Sequence, residues 1–190
     1  MKKLLSILVL SLTISTLLSA QEKTKEPIKP ALLVIDIQNK FLPWMDEKDR
    51  EMGMMYIKGY IEEFRKNGLP IIRIHHSDPT EGPFPGTPEF EFPDDITFSK
   101  DDPMIVKTYG NSFTKTDLDK ILKEKGVNTL FLCGLSSVGC VLATYIGAQD
   151  HDYKVFMLKD AIFSHDAEYT GQIESIFGAV SWEVVELLIE

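Results

Sequence analysis

Apolar and polar positions alternate along the chain in blocks that predict strands separated by helices. The first block, residues 31–37, is almost continuously apolar, contains several β-branched residues and carries one charge, Asp36. Such a run is typical of a strand buried on both faces of a parallel sheet. Apolar runs that predict further strands occupy residues 70–75, 104–107, 128–133, 154–158 and 183–189.

Apolar residues spaced three or four apart predict helices between these strands. The clearest helix spans residues 46–67 and ends before Gly68 and Pro70, two residue types that stop helices. The other predicted helices cover residues 114–125, 139–150 and 166–177. Residues 78–102 show no period and have the length of a functional loop. The alternation predicts a three-layer α/β/α, Rossmann-like domain with a mostly parallel sheet of about six strands.

The N-terminus differs from this domain. Lys2 and Lys3 precede a largely apolar run, residues 4–18, which is shorter than the roughly 20 residues of a membrane span. This pattern predicts a secretory signal peptide at residues 1–20, and hence export to the periplasm or out of the cell. Residues 21–30 are expected to form a tether and residues 31–190 the folded domain, with no membrane attachment after the signal is removed.

Composition narrows the range of partners. The chain has 29 acidic and 20 basic residues, a net charge of −9, and loss of the two lysines in the signal would bring it to −11. A protein this acidic is not expected to bind nucleic acid. The roughly 170 residues that remain after the signal suit one domain with a single core.

Three reactive side chains are expected at one edge of the sheet. Open parallel sheets bind ligands beyond the carboxyl ends of their strands. Asp36 ends the first predicted strand, Lys107 ends the third, and Cys140 follows the fourth. Each has a simpler explanation: a loop-capping carboxylate, a solvated strand end and a small buried hydrophobe, respectively. Burial among apolar residues nevertheless requires Asp36 to be paired or to have a raised pKa, and either would suit a proton acceptor.

The two cysteines, Cys133 and Cys140, are too few for a disulfide framework. They either form one disulfide or leave a thiol for chemistry. A strand residue and a helix residue separated by a turn seldom approach closely enough for a disulfide, which favours the thiol. Because a helix is predicted to start near Cys140, its dipole and N–H groups should lower the thiol pKa from about 8.5.

Three segments resemble the isochorismatase-like cysteine hydrolases, which include nicotinamidases and carbamoylsarcosine amidases. They read LLVIDIQNKF (32–41), IVKTYGNSFTKTDLDKILKEKGVNTLFLCG (105–134) and SSVGCVLATYIGAQDHDYKVFMLKDA (136–161). The resemblance implies that Asp36, Lys107 and Cys140 form a catalytic triad. Family members that cleave isochorismate lack this cysteine, so its presence implies cleavage of an amide or ureido C–N bond in a small molecule, through a thioester on Cys140.

The resemblance also implies details of the site. A cis peptide is expected at Leu135–Ser136, with the backbone N–H groups of Ser136 and Cys140 forming an oxyanion hole. Family members commonly form homo-oligomers, which we expect here as well. Four aromatic residues that follow the strand ends are predicted to flank the substrate, with core packing as the alternative: Phe41, Trp44, Tyr109 and Phe113.

A metal site is not expected, and no other cofactor is. Nicotinamidases bind their metal through an Asp-x-His pair after the second strand and a downstream histidine. Here the order is reversed, as His76-Ser77-Asp78, and the next histidine is His151. His76 and Asp78 are therefore only weak candidates, because a closed site lacks ligands. Packing at the strand end or substrate contact is the simpler role for His76 and for His75, which should point away.

Two other functions compete with this interpretation. A serine hydrolase could use Ser136 or Ser137 with Asp160 and His165, but Val138 stands where a G-x-S-x-G turn needs glycine. A secreted, non-catalytic binding or interaction protein could keep the same fold without turnover. The intact set of acid, lysine and cysteine argues against this second alternative.

Overall fold

The computed structural model describes residues 26–189. The predicted signal peptide and the first half of the predicted tether lie outside the described residues. Five strands form one parallel sheet in the order β3-β2-β1-β4-β5. Their bounds are β1 (Pro30–Ile35), β2 (Ile71–His76), β3 (Met104–Lys107), β4 (Thr129–Leu135) and β5 (Lys154–Phe163).

Helices cover both faces of the sheet, which confirms the three-layer prediction. They are α1 (Glu47–Lys66), α2 (Leu118–Glu124), α3 (Leu142–Asp150), α4 (Ala167–Phe177) and α5 (Trp182–Ile189). A short 3₁₀ turn, Leu42–Trp44, precedes α1, and a π-helical turn, Ser137–Val141, runs directly into α3. No helix within residues 26–189 combines the length and apolar character that crossing a membrane would require.

The central strand β1 organises the core. All six of its residues are buried, as the apolar run predicted. Side chains alternate across a strand, so Leu33 and Ile35 pack with residues of α2, α3 and α4. Leu32 and Val34 pack on the other face, with residues of α1 and α5. This double burial leaves the carboxyl end of β1, and the residues that follow it, at the rim between the two helical layers.

The prediction of a sixth strand at residues 183–189 is wrong, because these residues belong to α5. Val185 and Ile189, four residues apart, are buried, whereas Leu187 between them is 77% exposed. A strand would place all three side chains on the same face. The helical period therefore decides this segment, and the described sheet has five strands rather than about six.

The long loop between β2 and β3 is fastened to its surroundings. Lys58 of α1 pairs with Asp95, and Arg65 of α1 pairs with Asp102 at 2.5 Å. The Arg73 guanidinium of β2 donates to the Asp102 carbonyl at 2.8 Å. These contacts hold the loop against the domain, where its phenylalanines Phe90 and Phe92 are buried.

Gly134 of β4 lies against the backbone of β1, with no room for a side chain. Its φ is 111°, and a β-carbon there would lie 2.0 Å from the Ile35 carbonyl oxygen. We therefore expect Gly134→Ala to destabilise the protein by about 3 kcal/mol or more in chemical denaturation followed by circular dichroism. The control is Gly171→Ala in α4, where an added β-carbon would have no atom within 4 Å. Because alanine favours a helix more than glycine does, this substitution should stabilise the protein by about 0.5–1 kcal/mol. Equal effects of the two substitutions would contradict this account.

Candidate active site

Asp36 and Lys107 form a buried ion pair at the carboxyl ends of β1 and β3. The lysine Nζ donates to Asp36 Oδ2 at 2.7 Å, and the two residues are 1% and 2% exposed, respectively. Because β2 lies between β1 and β3, the partners start about two strand spacings of roughly 4.8 Å apart. A long side chain is needed to cross that distance. The structure therefore brings together two of the three residues that the strand-end argument selected.

The second carboxylate oxygen of Asp36 is free. Within residues 26–189, Asp36 Oδ1 is buried and has no hydrogen-bond partner. Asp36 itself adopts a left-handed backbone conformation, with φ of 53°, directly after β1. A buried carboxylate oxygen without a donor is uncommon in folded proteins. It is a ready acceptor for a proton from a neighbouring group.

Cys140 is that neighbouring group. It is partly buried in the π-helical turn after β4, close enough to Asp36 and Lys107 for both charges to act on it. Burial, and next the negative charge of Asp36, raise the pKa of the Cys140 thiol to about 12, against a smaller opposing effect of Lys107. The prediction of a lowered pKa is therefore wrong, because burial and the charge of Asp36 raise the pKa and α3 begins only at Leu142, two residues after the thiol. The resting thiol is protonated at neutral pH.

The other cysteine is a buried hydrophobe. Cys133 is fully buried in β4, with its thiol directed at the Leu33 carbonyl at 3.5 Å. Both cysteines are free. Because burial raises the pKa of the Cys133 thiol as well, and no solvent reaches it, Cys133 is not a candidate nucleophile.

A cavity of about 240 Å³ opens beside the Cys140 thiol. Its lining consists of Asp36, Phe41, Met45, His76, Leu135, Ser136 and Cys140. The Leu135–Ser136 peptide bond is cis, as the resemblance implied. Within residues 26–189, the Ser136 N–H donates to no backbone acceptor. A larger cavity of about 300 Å³ lies between α1 and the long loop, but it contains neither cysteine nor histidine.

The four predicted aromatic residues divide between the cavity and other places. Phe41 lines the cavity. Trp44 packs against Phe41 in a T-shaped arrangement, with ring centroids 5.8 Å apart. It is 61% exposed and is not part of the cavity lining. Tyr109 is exposed, and its hydroxyl accepts a hydrogen bond from Lys115 at 2.9 Å.

Phe113 lies in the core rather than at the cavity. It is 7% exposed and stacks on His151, with ring centroids 4.7 Å apart. The chain turns towards α3 after β3, where the Ser112 N–H donates to Thr144 Oγ1 at 3.1 Å. That turn carries Tyr109 and Phe113 away from the cavity.

Two residues of the site, Gln38 and Met45, were not predicted from the sequence, and Leu135 was expected only as part of the cis peptide. Gln38 is fully buried and clamps the backbone of His76, accepting from its N–H at 2.8 Å and donating to its carbonyl at 3.0 Å. A polar residue two positions after Asp36, next to an apolar block, was the available signal. Met45 offered none, since it is one more apolar residue among many.

The residues of the rival serine hydrolase have other partners. Ser137 Oγ lies 3.5 Å from Thr170 Oγ1. The Asp160 N–H donates to the Glu174 carboxylate. His165 packs against Tyr169 in a T-shaped arrangement, with ring centroids 5.7 Å apart. Among the described contacts, none links Ser136 or Ser137 with Asp160 and His165, so this alternative finds no support.

The sequence model of the isochorismatase domain matches residues 30–181. The chain belongs to the isochorismatase-like hydrolase family. An uncharacterized isochorismatase family protein of Bacillus subtilis (strain 168) is 35% identical over 138 residues, which are 69% of this chain and 76% of that protein.

Solved structures of the isochorismatase family share the fold. N-carbamoylsarcosine amidase of Thermoplasma acidophilum superposes with a TM-score of 0.69 at 27% identity, over 81% of this chain and 95% of that one. Pyrazinamidase of Pyrococcus horikoshii, solved in complex with zinc, gives a TM-score of 0.69 at 27% identity, over 79% and 94% of the two chains. These matches confirm the family resemblance and the fold class.

The residues of this isochorismatase-family chain do not fit a zinc site of that kind. The Asp78 carboxylate caps its own loop, accepting from the Thr80 hydroxyl and from the Thr80 and Glu81 N–H groups, and these bonds lower its pKa to about 2. His75 stacks on Phe92 with ring centroids 3.9 Å apart. Within residues 26–189, no three His, Cys, Asp or Glu side chains cluster as metal ligands would. His76 therefore lacks partners for a closed metal site.

Removing one member of the buried ion pair should be costly. We expect Lys107→Met to lower the free energy of unfolding by about 3–5 kcal/mol, because Asp36 is left buried and unpaired. Adding Asp36→Asn to that variant should recover much of the loss. The control is Lys123→Met, which breaks the exposed Lys123–Asp119 pair and should cost about 0–1 kcal/mol. Urea denaturation of the four proteins measures these differences; a small effect of Lys107→Met would contradict the prediction.

Proposed function

We propose that this isochorismatase-family protein is a cysteine hydrolase that cleaves the C–N bond of a small amide or ureido compound. One observation carries the proposal: the Asp36–Lys107 ion pair and the Cys140 thiol meet at one cavity, with Asp36 Oδ1 free. The structural relatives named as amidases support the choice of a C–N bond.

Acylation would begin with proton transfer. A thiol whose pKa is about 12 does not ionise by itself at neutral pH, so a base must take its proton as the sulfur attacks. Asp36 Oδ1 accepts the proton while Cys140 Sγ forms a bond to the carbonyl carbon, and the carbonyl π electrons move to oxygen. Lys107 stays protonated and balances the negative charge that passes between carboxylate and sulfur.

The negative oxygen of the tetrahedral intermediate needs donors. The Ser136 and Cys140 N–H groups are proposed to supply them, since both residues line the cavity and the Ser136 N–H has no backbone acceptor in residues 26–189. When the intermediate collapses, the C–N bond breaks and the nitrogen takes the proton from Asp36. Ammonia or an amine leaves, and a thioester remains on Cys140.

Water would complete the cycle by the same route in reverse. Asp36 takes a proton from a water molecule while the oxygen of that water attacks the thioester carbon. The C–S bond then breaks. The departing sulfur recovers the proton from Asp36, which restores the thiol and the carboxylate. The products are an acid and an amine or ammonia, so atoms and charge balance with no co-reactant beyond water.

The size of the cavity limits the substrate. Its volume of about 240 Å³ lies below the roughly 300–1,000 Å³ of pockets that hold drug-sized ligands. A metabolite-sized compound therefore suits the site. We also propose that the protein is exported, on the pattern of residues 1–20 alone; the burial of Cys133 would then protect Cys140 from an internal disulfide.

The decisive substitution is Cys140→Ala. We expect it to lower ammonia or amine release from a panel of amides and ureides by at least about 10³-fold, because no other thiol lines the cavity. Cys133→Ala, the matched control, should keep most of the activity because Cys133 lies in the core.

Unchanged hydrolysis in Cys140→Ala would contradict the proposed function. Absence of hydrolysis across the whole panel in the wild-type protein, despite ligand binding, would favour the non-catalytic binding protein instead. A coupled ammonia assay and mass spectrometry of the products measure both outcomes.

A further inference from the structure

His76 forms a fixed wall of the cavity. It is the last residue of β2, and both of its backbone polar groups are held by the buried side chain of Gln38. Its ring centroid lies 6.1 Å from that of Phe41, at an interplanar angle of 59°. The strand and these two hydrogen bonds therefore fix the backbone of His76, from which the imidazole extends, relative to Cys140. The imidazole of His76 takes no part in the proposed reaction steps.

The imidazole of His76 has an unused polar atom. Within residues 26–189, its Nδ1 is buried and has no hydrogen-bond partner. Leaving a buried polar atom unpaired costs about 1–3 kcal/mol, so such atoms are rare and call for an explanation. The neighbouring His75 also has an unpaired Nδ1, but its ring is packed between Phe90 and Phe92 and does not line this cavity. Of these two histidines, only His76 can offer its polar atoms to a ligand in the cavity.

The ring is also uncharged. Burial, and next the positive charge of Lys107, lower the pKa of His76, so the imidazole is neutral at pH 7. A neutral imidazole has one donor and one acceptor nitrogen. It can hydrogen-bond an amide or a hydroxyl, but it brings no positive charge to pair with a carboxylate.

The rest of the lining supplies no positive charge either. None of the seven lining residues is lysine or arginine. Lys107 lies behind Asp36 with its ammonium bound to the carboxylate, and the Lys40 ammonium donates to the Glu81 carbonyl at 2.6 Å. The remaining walls, Phe41, Met45 and Leu135, are apolar. A ligand carboxylate would lose its water in this cavity without gaining an ion pair.

We propose that His76 is the residue that recognises the substrate, by a hydrogen bond to an uncharged polar group. The site then selects neutral carboxamides or ureides with a compact apolar body, and rejects compounds of the same shape that carry a carboxylate. This inference deepens the proposed cysteine-hydrolase function and rests on it for the identity of the reacting bond. Selection by charge can be measured without turnover.

Benzamide and benzoate are matched probes, since they share a shape and differ in charge. The Cys140→Ser protein, which cannot form the thioester, is titrated with each compound at pH 7.5 and followed by NMR. We expect benzamide to bind at least about tenfold more tightly than benzoate, a difference of about 1.4 kcal/mol. Equal affinities, tighter binding of benzoate, or no binding of either compound would overturn the proposal.

Substitutions of the two adjacent histidines test the role of His76 itself. In the Cys140→Ser background, His76→Phe should weaken benzamide binding about three- to tenfold, whereas His76→Gln, which keeps a hydrogen-bonding side chain, should restore much of it. His75→Phe, the control at a ring outside the cavity, should leave the affinity unchanged. Equal benzamide affinity in the His76→Phe and parent proteins would overturn the assignment.

These titrations separate the two proposals. If Cys140→Ala leaves hydrolysis intact while benzamide binding still depends on His76, the cysteine mechanism fails and the recognition role stands. If hydrolysis depends on Cys140 but benzamide and benzoate bind with equal affinity, the recognition role fails and the cysteine mechanism stands.

Discussion

The site depends on a single interaction, the ion pair between the buried side chains of Lys107 and Asp36. Neither charge would be stable alone in this position, because removing a charge from water costs several kcal/mol unless a partner compensates. The lysine reaches its partner only because β1, β2 and β3 are adjacent, parallel and in a register that ends them at one rim. The packing of both helical layers on β1 thus holds the ion pair in place, and the pair in turn ties the edge strand β3 to the centre of the sheet.

The same burial defines the state of the proposed nucleophile, Cys140. It keeps the Cys140 thiol protonated, and it leaves Asp36 Oδ1 without a donor. A protonated thiol beside a free carboxylate oxygen is inert until a carbonyl carbon is present to accept the sulfur. Such a pair resists unwanted oxidation better than a standing thiolate would, because the thiolate is the reactive species. That property suits a protein for which export is predicted.

Much of the fold and part of the site could be predicted from the sequence, because both follow from local patterns. The apolar run of β1 specified a doubly buried strand, and the rule that ligands bind at strand ends selected Asp36, Lys107 and Cys140. The failures concern tertiary context. Residues 183–189 suit either a strand or a helix, and only packing on the α1 face decides for α5. Phe113 follows Lys107 closely in sequence, yet the turn towards α3 removes it from the cavity, and the raised pKa of Cys140 depends on a burial that no local pattern reveals.

Cys140 is proposed to rest as a neutral thiol against Asp36 and to lose its proton only as it attacks. A pH titration of the protein labelled with ¹³C at the cysteine β-carbons tests it most directly, with Cys140→Ala used to assign the signal. We expect the Cys140 resonance to keep its thiol chemical shift through pH 9 and to begin to move only at higher pH, in line with a pKa of about 12. A thiolate chemical shift at neutral pH would contradict it.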